Sequence, residues 1–175
     1  PPAWVAEIDE ALFVARAGGA PGWPVQIERV PLTGLVIGEE PQAPHRLAGF
    51  PASASVSTNG EALIDGEELV FLLREETATA SRLYLARFHP DGSFGARLVS
   101  PGASSGQLER YGDGFLLLVQ TADAESGEPS VELHRLDCGG RWLEPPVSVV
   151  TRARTRMQAV TADEDTGAGW VVVSA

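Results

Sequence analysis

Several stretches of the sequence carry residue types at spacings that chemistry could use. Gly102-Ala103-Ser104-Ser105-Gly106 fits the G-x-S-x-G pattern of a nucleophilic serine. That chemistry needs the serine on a strained turn between a buried strand and a helix, with an oxyanion hole at the helix start. Here Pro101 precedes the pattern and QLERYGDGF follows it, a short strand and a turn, so a small-residue loop between sheets is expected instead. Asp163-Glu164-Asp165-Thr166-Gly167 and Asp123-Ala124-Glu125-Ser126-Gly127 each place carboxylates at i and i+2 before a glycine, as calcium loops begin. Both lack the later acidic ligand that closes such a loop. Solvated acidic hairpin tips are expected, with no calcium requirement.

His45, His89 and His134 are single and far apart, outside the clustered spacing of a zinc site, and are expected on the surface or in turns. Cys138 stands in a glycine-rich turn with no base beside it, so an exposed and unactivated thiol is expected. As the single cysteine it closes no internal disulfide. No catalytic, cofactor-binding or metal-binding residue is assigned, and no cofactor is expected.

Arginine is the other chemistry-bearing type. All 13 basic residues are arginines, against 24 acidic residues, a net charge of −11. Bulk charge therefore argues against nucleic-acid partners and anionic membranes. Arg29, Arg87 and Arg135 share a strand face with apolar residues two and four positions earlier. Each is expected to cover apolar surface with its stem and to pair with turn carboxylates or carbonyls. A ring of arginines binding a ligand on a central axis is the sharper alternative. Arg152, Arg154 and Arg156 alternate with Ala153, Thr155 and Met157, which puts them on one face of a strand. A solvated linker is expected there, with docking of an acidic partner segment as the alternative.

The elements that must position these residues are short. Hydrophobic residues make up 43% of the 175 positions, enough for a folded core, and no apolar run is long enough for membrane insertion. Glycine and proline number 19 and 13, a turn-rich composition that points to many brief elements. Four runs resemble one another: ALFVARA (11–17), ELVFLLR (68–74), GFLLLVQ (114–120) and GWVVVSA (169–175). Each follows a turn signal and is apolar on both faces, as a strand inside stacked sheets should be. A weaker alternating segment precedes each. The first three lead on to VQIERV (25–30), LYLARF (83–88) and VELHRL (131–136), then a tight turn, then a fourth segment ending near proline.

Two markers test the register. Arg29, Arg87 and Arg135 occupy one position and Gly34, Gly92 and Gly140 another, and both sets step by 58 and then 48 residues. The stretch 75–88 is rich in helix formers, but this register predicts a strand over its second half. The unit is four antiparallel strands joined by hairpins, repeated over about 1–50, 51–103 and 104–150, with a half unit at 151–175. The expected fold is one all-β domain of repeated four-stranded sheets, an incomplete or partner-completed β-propeller.

Asp113-Gly114-Phe115-Leu116-Leu117, then Arg135-Leu136-Asp137 through Gly140, Leu143 and Pro146-Val147, resemble the blades of uncharacterised bacterial β-propeller repeat proteins. The resemblance spans nearly the whole chain and implies a fold rather than an activity, because its motifs are turns and apolar strands. It departs from the WD-repeat pattern, lacking the Trp-Asp dipeptide and the Gly-His start. Asp137 to Trp142 and Asp165 to Trp170 also contain the D-x-G-x-x-W core of the sialidase-type Asp-box, without its leading Ser or Thr. In propellers that motif is a hairpin device: the Asp accepts from turn N–H groups, a Gly takes positive φ, and the aromatic plugs the sheet edge.

The expected function is a non-catalytic protein-interaction scaffold or binding module. The alternative is a hydrolase or lyase whose site lies on the central face and is partly supplied by residues outside this chain. The chain begins at Pro1 without a leader and stops directly after a strand-like run, so we read it as processed or as a fragment; its ends assign no compartment. The last run, Gly169 to Ala175, is apolar, β-branched and without charge or proline, a template for pairing. A protein partner, the rest of a longer polypeptide or a second copy is expected to cover it. Two copies of three and a half units would make seven.

Overall fold

The computed structural model describes residues 4–16, 25–32, 43–122, 129–151, 156–163 and 168–174. The first sheet runs β1 (Trp4–Ile8), β2 (Ala11–Arg16), β3 (Gln26–Pro31) and β4 (His45–Arg46). The second runs β5 (Ser55–Asp65), β6 (Glu68–Glu76), β7 (Ser81–Phe88) and β8 (Phe94–Pro101). The third runs β9 (Ser105–Tyr111), β10 (Gly114–Ala122), β11 (Pro129–Leu136) and β12 (Val147–Thr151). A pair, β13 (Arg156–Asp163) and β14 (Ala168–Ser174), follows. Every sheet is an antiparallel meander in chain order. No helix occurs among the described residues, and none is therefore long and apolar enough to cross a membrane.

Hairpin chemistry sets the first turn of each sheet. The pairs Ile8↔Ala11, Asp65↔Glu68 and Tyr111↔Gly114 close two-residue loops. Such loops need positive φ to match strand twist. Gly66 and Gly112 supply it at 64° and 59°, whereas sheet 1 uses Asp9 at 48° and Glu10 at 59°. The repeat markers fall into identical register: Arg29 lies opposite Phe13, Arg87 opposite Val70 and Arg135 opposite Leu116, each the third residue of its apolar run. The longer first step is taken up by the connection 32–44, against 89–93 in sheet 2, and by β5, which has 11 residues to the 7 of β9. An irregularity between Asn59 and Leu63 accommodates the extra length. The helix-rich stretch 75–88 is the end of β6, a turn and the whole of β7.

The first strands β1, β5, β9 and β13 stand side by side, so the sheets radiate from them as successive blades. The fold is an incomplete β-propeller, all-β, built of repeated four-stranded antiparallel sheets. Its core lies in the seams between blades. Leu69, Phe71 and Leu73 of β6 pack toward sheet 1, and Val70 and Leu72 toward sheet 3. Alternate residues of one strand thus enter opposite seams, which is why the run is apolar on both faces.

Candidate functional site

The seam between sheets 2 and 3 gathers the largest group of chemistry-bearing residues. Arg87 on β7 reaches across it. Its guanidinium bonds the Cys138 carbonyl at 3.1 Å through Nε, Asp65 Oδ2 at 2.8 Å through Nη2, and Glu68 through Nη1. Arg110 Nη1 takes the other oxygen of Asp65 at 2.6 Å. The Arg87 guanidinium also lies 5.9 Å from the centre of the Phe115 ring. The hydrogen bond from Arg110 holds the Asp65 carboxyl below its usual range, against its own burial and with help from Arg87. Burial weighs against the Arg87 charge, but Asp65 and Glu68 outweigh it and hold the guanidinium protonated. Arg135 instead lies over Tyr111 at 5.4 Å, with Glu144 at 3.9 Å. Arg87 and Arg135 thus stand on third strands with carboxylate partners, not in a ring around the axis.

The Asp137-to-Trp142 turn forms the other wall. Asp137 Oδ1 accepts from the Arg141 N–H at 2.8 Å, and the Gly140 N–H donates to the Asp137 carbonyl at 2.9 Å. Gly140, rather than the motif glycine Gly139, takes the positive φ of 75°. Trp142 Nε1 donates to the Val99 carbonyl on β8 at 2.9 Å, so the aromatic bridges two blades. Beneath it lies His134, its ring centre 5.2 Å from that of Trp142 and its Nε2 3.2 Å from Glu132 Oε2. His134 is buried, which corrects the expectation of a surface or turn histidine. On β11 it shares a face with Leu136, and that face is turned into the seam. Burial pushes its pKa below the ordinary imidazole value, while Glu132 pulls the other way.

His45 is half-buried with its ring 5.4 Å from Phe88, and His89 lies 3.1 Å from Asp91 and 3.7 Å from Glu67. Cys138 is exposed, and its carbonyl rather than its thiol makes the contacts above. Among the described residues no three His, Cys, Asp or Glu side chains converge as metal ligands would.

Gly102 to Ser104 is the crossing from β8 to β9, and Ser105 and Gly106 open β9. Ser104 Oγ donates to the Gln120 carbonyl at 3.1 Å, and Ser105 Oγ lies 3.5 Å from Gln120 Oε1. Neither hydroxyl meets a histidine or carboxylate among the described residues. A Cβ on Gly106 would lie 2.7 Å from Leu83 Cδ1, so the last glycine of the pattern admits close packing of blades rather than a nucleophile turn. The Asp123–Gly127 tip, Glu164 to Gly167, Gly34, Arg152 and Arg154 lie outside the described residues.

A group that the sequence reading did not single out sits in the other seam. Glu75 is buried on β6, and its Oε2 accepts from the Tyr84 hydroxyl at 2.7 Å and from Arg82 Nη1 at 3.3 Å. Burial, and then the bond to Glu75, raises the Tyr84 pKa. The signal was available: Glu75 continues the alternation Leu69, Phe71, Leu73, so its side chain belongs to the core face. With its carboxylate covered and tied to Tyr84 and Arg82, this group joins β6 to β7 within sheet 2.

No protein-family model and no curated protein matches the chain. Among solved structures it is similar to the endo-arabinase from Bacteroides thetaiotaomicron VPI-5482, at 14% identity and a TM-score of 0.48, over 98% of this chain and 68% of that one. The blade assignment stands on strand order, register and the side-by-side first strands.

Proposed function

We propose that this chain is a non-catalytic protein-interaction module of the kind built on bacterial β-propeller repeats. One observation carries the reading. The residues that could do chemistry are spent on structural bonds, within a blade or across a seam: Ser104 and Ser105 on Gln120, Asp137 on its own turn, Glu75 on Tyr84, Arg87 on Asp65, Glu68 and the Cys138 carbonyl of the next blade. A hydrolase needs a nucleophile or a carboxylate open to a substrate and paired with a base or an acid. None of these groups is so placed. The module offers a partner the outer edge of β14, which pairs with β13 and with no further strand among the described residues. A sheet edge that lacks a neighbouring strand takes up a strand from another polypeptide.

Light scattering and hydrogen exchange on the 175-residue chain test the reading. Concentration-dependent association, with β14 amides becoming protected as the chain associates, is the expected result. A stable monomer at high concentration with β14 already protected overturns it, as does hydrolysis of a polysaccharide or peptide by the purified chain.

A further inference from the structure

Asn59 is the chain's single asparagine, and Gly60 follows it. An asparagine side chain can be attacked at its amide carbon by the backbone nitrogen of the next residue. In a regular strand the ladder holds that N–H, and the extended backbone keeps the two groups apart. Strand β5 is not regular here. Asn59 pairs with Leu72 and Leu63 with Val70, so Gly60, Glu61 and Ala62 together stand opposite Phe71 alone. A bulge of this kind leaves its extra residues out of the ladder. Gly60 is exposed, at a φ of 81°. Apart from the chain neighbours, a Cβ there would find only the Gly106 carbonyl, at 3.9 Å, so the backbone has room to turn.

The Asn59 amide is held by the next blade. Its Oδ1 accepts from the Gly106 N–H of β9 at 2.5 Å, a bond that crosses the seam between sheets 2 and 3. The same bond polarises the amide carbonyl. When a nitrogen adds to the amide carbon, negative charge gathers on Oδ1, where this backbone donor is already aimed. Preorganised N–H donors at a developing oxyanion are among the larger sources of rate enhancement in acyl chemistry. The bulge therefore frees the attacking nitrogen, and the seam readies the carbon it attacks.

We propose that Asn59-Gly60 is a site of spontaneous covalent modification, at which the folded chain converts asparagine to aspartate and isoaspartate. The Gly60 nitrogen gives its proton to solvent and bonds to Asn59 Cγ, pushing the carbonyl electron pair onto Oδ1. The pair returns as the Cγ–Nδ2 bond breaks and ammonia leaves, closing a cyclic imide. Water then opens one of the imide C–N bonds, and no atom is oxidised or reduced. Opening at the former side-chain carbonyl restores a normal backbone with aspartate, which keeps an acceptor for the Gly106 N–H. Opening at the main-chain carbonyl gives isoaspartate, which routes β5 through the former side chain and lengthens it by a carbon. Oδ1 then belongs to the main chain, and the bond across the seam is lost. The site is separate from the β14 edge, and each can fail without the other.

Ageing the folded chain in mildly alkaline buffer tests it, with isoaspartate and ammonia loss located by peptide mass spectrometry. Ammonia loss separates Asn59 from Asp65-Gly66, Asp91-Gly92 and Asp113-Gly114, whose isomerisation leaves the mass unchanged. Conversion at position 59 should run at least as fast as within about tenfold of a free peptide spanning Ser57 to Ala62. Circular dichroism confirms that the reacting chain is folded. The thermal midpoint should fall as isoaspartate accumulates. Asn59→Gln, whose longer side chain disfavours the cyclic product, should keep its amide and its own midpoint over the same period. A folded chain that converts more than about tenfold slower than the peptide overturns the proposal. So does an unchanged midpoint after conversion, or an equal fall in Asn59→Gln.

Discussion

Sheet 2 meets its two neighbours with opposite faces of the same strands, and the two seams are held in different ways. Toward sheet 1 the contact is aromatic. Trp4 lies 5.0 Å from Phe71, Phe13 lies 5.9 Å from Phe88, and His45 packs on Phe88 at 5.4 Å. Toward sheet 3 the buried contact is aliphatic, with Val70, Leu72, Leu83 and Leu85 against Leu117, Val119 and Leu136, and Phe115 the aromatic member. What that side has instead is directional bonding: Arg87 to Cys138, Arg110 to Asp65, Trp142 to Val99, and Asn59 Oδ1 to the Gly106 N–H at 2.5 Å. Apolar burial is strong and tolerant of sliding, whereas hydrogen bonds are modest in energy and strict in geometry. Both seams bury apolar side chains, and the second adds bonds that fix how one blade sits on the next.

The largest effect should come from breaking the aromatic seam. Phe88 is fully buried between Phe13 and His45, so Phe88→Ala should cost about 3 to 5 kcal/mol, read from urea unfolding. A loss under about 1 kcal/mol, the scale of an ordinary surface change, would show that the rings are not what holds sheets 1 and 2 together.

Arg87 is the matching test of the polar seam, with a smaller expected loss. Arg87→Ala should cost about 1 to 3 kcal/mol through stranded partners and lost packing. The energy belongs partly to the pairing with Asp65, so a double-mutant cycle with Asp65→Asn should show coupling between the two sites. Arg87→Lys should recover only part of the loss, since an ammonium cannot bond Asp65, Glu68 and the Cys138 carbonyl in the same fork. Additive single effects and full rescue by Lys would reduce Arg87 to a hydrophobic stem.

How much of this was legible in the sequence follows the same division. The blades were legible because turn residues and two-sided apolar runs are local signals; Leu69 to Leu73 and Leu116 to Val119 could only be interior strands. The arginine register was legible too, since Arg87 and Arg135 repeat with the turn glycines Gly92 and Gly140 that follow them. The bond of Arg87 across the seam was not, because the Cys138 carbonyl approaches it only when neighbouring blades pack. His134 shows the limit most plainly. Glu132, His134 and Leu136 alternate onto one face of β11, but which face looks into the seam is set by the neighbouring blade rather than by the residues themselves.

His134 also gives the mildest way to probe the comparison, because its protonation loads the polar seam directly. Its Nε2 faces Glu132 and its Nδ1 has no partner among the described residues, with Trp142 against the ring and β8 beyond. Burial disfavours the imidazolium in the fold, so the unfolded chain binds the proton more readily. The linked stability is therefore fully present above the unfolded value, about 6.5, and is lost as pH falls below it. Asp65 works in a separate window: with its folded value depressed, its contribution holds above about 3.9 and fades only in stronger acid. Urea midpoints of the native chain should thus decline between about pH 7 and pH 5, where carboxylate titration adds little. His134→Gln keeps a donor for Glu132 and removes the titration, so its midpoint should change less over the same interval. Parallel pH profiles for the two proteins would mean that the buried imidazole does not govern the seam.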